Sequence, residues 1–180
     1  MILAAARHPA HGIGEFRSKP IPTMKAVFTA AAALVLGISP IAAKDKDKVP
    51  RGYEPISELE EARSEAAGKK LVVVLVKGLD DACPNCAAAV ENGERAIGSG
   101  VVKVFARAET LNQADLADYP QAFQERAKKK FTTNASVTFL VFDPAMEKLI
   151  AEATRTELQG NKKLTAEFKK AVQEAKREYK

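Results

Sequence analysis

The chain has 180 residues, 46% of them hydrophobic, a formal charge of +5 and two cysteines, enough to bury one core of ordinary size. Residues 1–43 carry Arg7, Arg17, Lys19 and Lys25 against Glu15, so the remainder holds only +2 of that charge and gives no electrostatic case for a nucleic-acid partner. Both histidines, His8 and His11, lie in this leader; without it the chain has none, which excludes Ser–His–Asp and Cys–His catalysis and histidine zinc sites.

Met24-Lys25 followed by the apolar run Ala26 to Ser39, with Ile41-Ala42-Ala43 before Lys44, has the layout of a signal peptide. Translation is expected to start at Met24, with export and cleavage after Ala43. The alternative is a membrane anchor over residues 26–43, and membrane contact is expected only in that case. Export makes the cysteines oxidised at rest unless a reductant reaches them.

Lys44 to Pro55 is charged and carries two prolines, which predicts a flexible arm before a domain spanning 56–180. Ser57-Glu58-Leu59-Glu60 fits a capping box opening a helix to about Ala67, stopped by Gly68. Leu71 to Val76 has no polar alternation, which predicts a strand covered on both faces by helices. A helix over Ala87 to Ile97 follows, weakened by Gly93 and ended by Gly98. Val101 to Ala106 is a second strand. A further helix restarts at Pro120 and turns Phe123, Ala127 and Phe131 to the core. Val137 to Phe142 is the third strand, Asp143-Pro144 a turn, and Lys148 to Ala151 its antiparallel return. Leu164, Phe168, Val172, Ala175 and Tyr179 form one apolar stripe on a terminal helix. Lys128-Lys129-Lys130 reads as the solvated end of a helix.

The chemistry-bearing motif is Cys83-Pro84-Asn85-Cys86, placed directly after the strongest strand. A C-x-x-C at a strand–helix junction suits thiol–disulfide chemistry, because the helix N-terminus favours a thiolate at its first cysteine. Haem attachment is excluded, since Ala87 and not histidine follows Cys86.

The element order, the C-x-x-C opening a helix, and the late strand–turn–strand together resemble the thioredoxin fold over Ile56 to Lys180. The chain looks most like the exported branch in which Gly68-Lys69-Lys70 precedes the core strand and Phe142-Asp143-Pro144 forms the last turn. The resemblance implies an α/β domain with a central mixed β-sheet flanked by helices. It also implies that Cys83 attacks a partner disulfide, that Cys86 resolves the mixed disulfide, and that Ser136 and Val137 form the loop that meets the partner. Its partners would be protein thiols or disulfides, and no cofactor is expected. Pro84, in the first intervening position, is similar to glutaredoxins and periplasmic disulfide oxidases.

Three positions depart from that family. Ala82 replaces the aromatic residue before the first cysteine, Lys77 replaces the acidic residue that accepts a proton from the second, and Val137 stands at the cis-proline position. A cis bond before a residue other than proline costs about 2.5–4 kcal/mol, so a trans Ser136–Val137 bond and a displaced loop are expected. Lys77 either reaches solvent or stabilises a thiolate, and Asp80 and Asp81 serve the turn and the helix cap.

The leading reading is an exported thiol–disulfide oxidoreductase. A thioredoxin-fold binding module with a structural disulfide is the first alternative. Soft-metal binding is the second, because Val76-Lys77-Gly78-Leu79 leading to Cys83 through Val90 resembles the loop of heavy-metal-associated domains.

Overall fold

A computed structural model of the protein describes residues 48–180; the expected leader, its signal peptide and the alternative anchor at 26–43 lie outside the described residues. The chain order is β1 (Glu54–Pro55), α1 (Leu59–Ala66), β2 (Leu71–Lys77), α2 (Pro84–Ile97), β3 (Val101–Arg107), α3 (Ala108–Gln113), α4 (Gln121–Ala127), β4 (Val137–Phe142), β5 (Leu149–Thr154), α5 (Arg155–Gly160) and α6 (Lys162–Glu178). The strands form one sheet in the order β1-β3-β2-β4-β5. β3 is parallel to both β1 and β2, whereas β4 runs antiparallel to β2 and β5 antiparallel to β4. This is the mixed, helix-flanked α/β sheet expected from sequence, and it is compatible with a thioredoxin-like fold.

β2 sits at the centre because its side chains are apolar on both faces. Every residue from Leu71 to Val76 is at most 2% exposed, and burial of a valine or leucine stabilises by roughly 1.5–3 kcal/mol. Alternate residues feed two cores. Val72, Val74 and Val76 pack with Leu59, Leu111, Phe123 and Phe142 on the α1, α3 and α4 face. Leu71, Val73 and Leu75 pack with Ile97, Phe139, Phe168 and Val172 on the α2, α5 and α6 face. Phe123, Ala127 and Phe131 all reach the first of these cores, as the spacing predicts.

Several local features differ from the sequence reading. Ser57 caps nothing: residues 56–58 form a single 3-10 turn, and α1 starts at Leu59 without a side-chain cap. Its left-handed stop begins at Ala67, with φ 43°, one residue before Gly68. Two short helices, α3 and α5, escape the periodicity because six residues make fewer than two turns. α5 opens where the Glu157 carboxylate accepts the Thr154 backbone N–H at 2.6 Å.

The segment expected as an arm is docked on the domain from Val49 onward. Val49 and Tyr53 pack against the second core, and Glu54 and Pro55 pair with Val104 and Phe105 of β3. The Tyr53 hydroxyl donates to the Glu94 carboxylate on α2, which Lys103 also engages while lying 5.4 Å from the Tyr53 ring centroid. Burial first, and then the bond to Glu94, hold the Tyr53 phenol well above its usual titration range.

Gly93 serves α2 as a point of close approach. A Cβ there would stand 2.6 Å from Phe139 Cζ and 2.7 Å from Cδ2, and closer still to Cε2, so the helix can lie this near β4 only without one. At the far end of α2, the Lys176 ammonium of α6 donates to the Ile97 carbonyl, which the helix leaves open, and to the Ser99 carbonyl just beyond it. No helix among the described residues is long and apolar enough to cross a membrane.

Candidate functional site

The site is built where β2 ends and α2 begins. Asp80 Oδ1 accepts the Ala82 N–H at 3.1 Å, a local turn of the kind short carboxylates favour. Cys83 then takes the N-cap position in extended backbone, and its Sγ accepts the Cys86 N–H at 3.1 Å. Its carbonyl accepts the N–H groups of Cys86 and Ala87 at 3.0 and 3.1 Å. Pro84, whose missing N–H costs nothing there, fills the first helical position. α2 therefore starts three residues before Ala87, and the cap is Cys83, not Asp80 or Asp81.

Cys83 and Cys86 are paired as a disulfide, with Cα atoms 5.2 Å apart. Cys83 is the more accessible, at 8% exposure against 1% for Cys86. Both belong to the α2–α5–α6 core, which also contains Val137.

Charge is organised around Asp81. Arg107, the last residue of β3, donates from Nη1 to Asp81 Oδ1 at 3.0 Å and from Nη2 to Oδ2 at 2.9 Å. Its Nη1 also donates to the Gly78 carbonyl at 2.8 Å. Lys77, opposite Arg107 in the β2–β3 register, donates to Asp81 Oδ1 at 2.5 Å. The Arg107 bonds first, and the Lys77 bond second, hold the Asp81 carboxyl well below the usual carboxylate range. Lys77 thus neither reaches into solvent unpaired nor stands alone beside a sulfur: its side chain is 19% exposed and bound to Asp81. The strand expected over Val101 to Ala106 runs one residue further, to Arg107, which was not among the expected site residues. The available signal was a basic residue closing an apolar strand in register with Lys77, with an acidic turn to receive both.

Ser136 and Val137 lie across from the loop that leads into Cys83. The Ser136 carbonyl accepts the Gly78 N–H at 3.0 Å, and the Thr133 carbonyl accepts the Leu79 N–H at 2.8 Å. The Ser136 hydroxyl is turned onto the Thr132 carbonyl. Val137 opens β4 opposite Lys77 and is 1% exposed. Gly78 makes this approach possible, since a Cβ there would stand 2.5 Å from the Thr133 oxygen and closer to that of Asn134. Leu79, at 62% exposure, is the one exposed large hydrophobic side chain among the described residues.

Among the described residues, no group of three or more histidines, cysteines or acidic residues is placed to hold a metal ion. Comparison with family models, with curated proteins and with solved structures gives no match to this chain.

Proposed function

We propose that this protein is an exported thiol–disulfide oxidoreductase of the thioredoxin-like superfamily, with protein thiols or disulfides as its partners. The observation that supports this reading is the Cys83–Cys86 disulfide at the N-terminus of the helix following the central strand. Export rests on the Met24 to Ala43 pattern. In the reduced protein the Cys83 thiolate attacks one sulfur of a partner disulfide, forming a mixed disulfide and releasing one partner thiolate. The Cys86 thiolate then attacks Cys83 Sγ, closes the internal disulfide and releases the second partner thiolate. Two electrons pass to the partner, and the reverse sequence oxidises a dithiol.

The low exposure of Cys83, 8%, favours a second reading, a binding module with a structural disulfide. Reduction potential separates the two, because structural bridges typically lie below about −300 mV. A higher potential is expected, with turnover of a protein disulfide in the presence of a small-molecule thiol. Replacing Cys86 by serine should trap mixed disulfides through Cys83, whereas replacing Cys83 should trap few. Equal trapping by both variants would remove the assigned roles.

A further inference from the structure

Four charged residues are placed around the entry to Cys83 by three elements: Lys77 on β2, Asp80 and Asp81 in the connecting loop, and Arg107 on β3. Asp80 is committed to the Ala82 N–H at 3.1 Å. Arg107 is different in kind from the rest. It is 8% exposed, with its guanidinium 5.4 Å from the Phe105 ring centroid, and it binds the first residue of the loop through the Gly78 carbonyl. It grips Asp81, three residues further on, through both carboxylate oxygens. A fork that is planar and permanently charged can hold a carbonyl and a carboxylate together, and a lysine cannot reproduce that geometry.

We infer that Arg107 is a positioning residue for Cys83, acting through Asp81: it fixes the path of the Gly78–Ala82 loop and offsets the Asp81 carboxylate, which would otherwise join Asp80 in opposing a thiolate at the α2 N-terminus. The inference deepens the proposed function and rests on Cys83 working as a thiolate nucleophile. Two residues of chain span at most roughly 7 Å between Cα atoms, and the two side chains add about 5 Å, so the Asp81 charge lies at most roughly 12 Å from the Cys83 sulfur. At that range a unit charge in a partly solvated setting alters a thiol–thiolate equilibrium by about threefold. Arg107 works against the Asp81 charge, and its partners make the loop that carries the sulfur rigid.

The test measures alkylation of the single Cys83 thiol by iodoacetamide at pH 6 in a Cys86→Ser background. Asp81→Asn removes a negative charge and should speed alkylation by about threefold, while Arg107→Gln removes a positive one and should slow it by about as much. Arg107→Lys keeps the charge and should bring the rate most of the way back, while the unfolding midpoint stays lowered because the fork is lost. A purely structural role would move Asp81→Asn and Arg107→Gln in the same direction, and that result, or no change in either, would overturn the inference. Should Arg107→Gln fail to fold, the pH profile of alkylation in Asp81→Asn, whose side chain is 60% exposed, decides: a midpoint moved to lower pH with an unchanged limiting rate supports the inference, and an unmoved midpoint with a raised limiting rate overturns it. Alkylation needs no protein partner, so a protein that turns over no disulfide would sink the proposed function while leaving this outcome readable.

Discussion

Replacing Gly78 by alanine tests the junction on which the candidate site depends. The added methyl would meet the Thr133 oxygen at 2.5 Å and the Asn134 carbonyl carbon at 2.8 Å, all backbone, so no rotamer change relieves it. The Asn134 oxygen is nearer still, so restoring ordinary contact requires the loop before Cys83 and the loop before Val137 to separate by roughly 1.5–2 Å. That stretches the Gly78 N–H to Ser136 and Leu79 N–H to Thr133 bonds, at 3.0 and 2.8 Å, out of useful range. Two backbone bonds are worth about 0.5–1.5 kcal/mol each, and the stiffer unfolded chain returns about 0.4–1 kcal/mol. These two contributions leave about 0–2.6 kcal/mol, and residual strain at the close Asn134 contact puts the expected net cost at about 1–2 kcal/mol. For a domain of this size that lowers the thermal midpoint by roughly 3–10 °C. Urea and thermal unfolding of Gly78→Ala should be read beside Gly160→Ala, where a Cβ meets nothing within 4 Å and no loss is expected. Equal stability of the two variants would show that the loops do not meet as described.

Gly93→Ala is expected to destabilise by about 1–3 kcal/mol through overpacking against Phe139, in spite of a helix-propensity gain of up to about 1 kcal/mol. Adding Phe139→Leu should recover part of that loss, and strictly additive urea midpoints would contradict the contact. Tyr53 keeps its proton more tightly folded than unfolded, so its contribution is complete below pH of about 10, where the unfolded phenol titrates, and is lost as pH rises beyond it. Tyr53→Phe should lower stability at pH 7 by about 1–2 kcal/mol and flatten the decline between pH 9 and 11; parallel curves for the two proteins would refute the assignment. Val137→Pro should raise turnover of protein disulfides if this loop receives partners as the resemblance implies, and a folded variant with unchanged or lower turnover would count against it.

The strands were legible because their signals are composition and period, which local sequence carries. Leu71 to Val76 predicts a strand buried on both faces, and Val137 to Phe142 and the Phe168–Val172–Ala175 stripe emerge where their spacing puts them. The helix caps were less legible, since Ser57 and Asp81 have cap chemistry but the backbone places Leu59 and Cys83 at the openings. Gly93 looked like a weak point in a helix, and only the ring of Phe139, forty-six positions along the chain, gives it a purpose. The cysteine pair was readable from spacing alone. The Arg107–Asp81–Lys77 arrangement was not, because it joins two strands and a loop through side chains separated by up to thirty residues.

β1 contributes only Glu54 and Pro55, yet it determines what the sheet presents at its rim. Proline has no N–H to offer a further strand, so this edge closes after two residues instead of inviting addition. Immediately behind it lie Val102, Val104 and Phe105, none more than 3% exposed. A chain trimmed to start at Ile56 would leave the backbone donors and acceptors of an apolar strand facing water. Such a fragment should self-associate by light scattering at concentrations where a fragment starting at Lys48 stays dispersed. The shortest strand of the sheet would then govern the solubility of the whole domain.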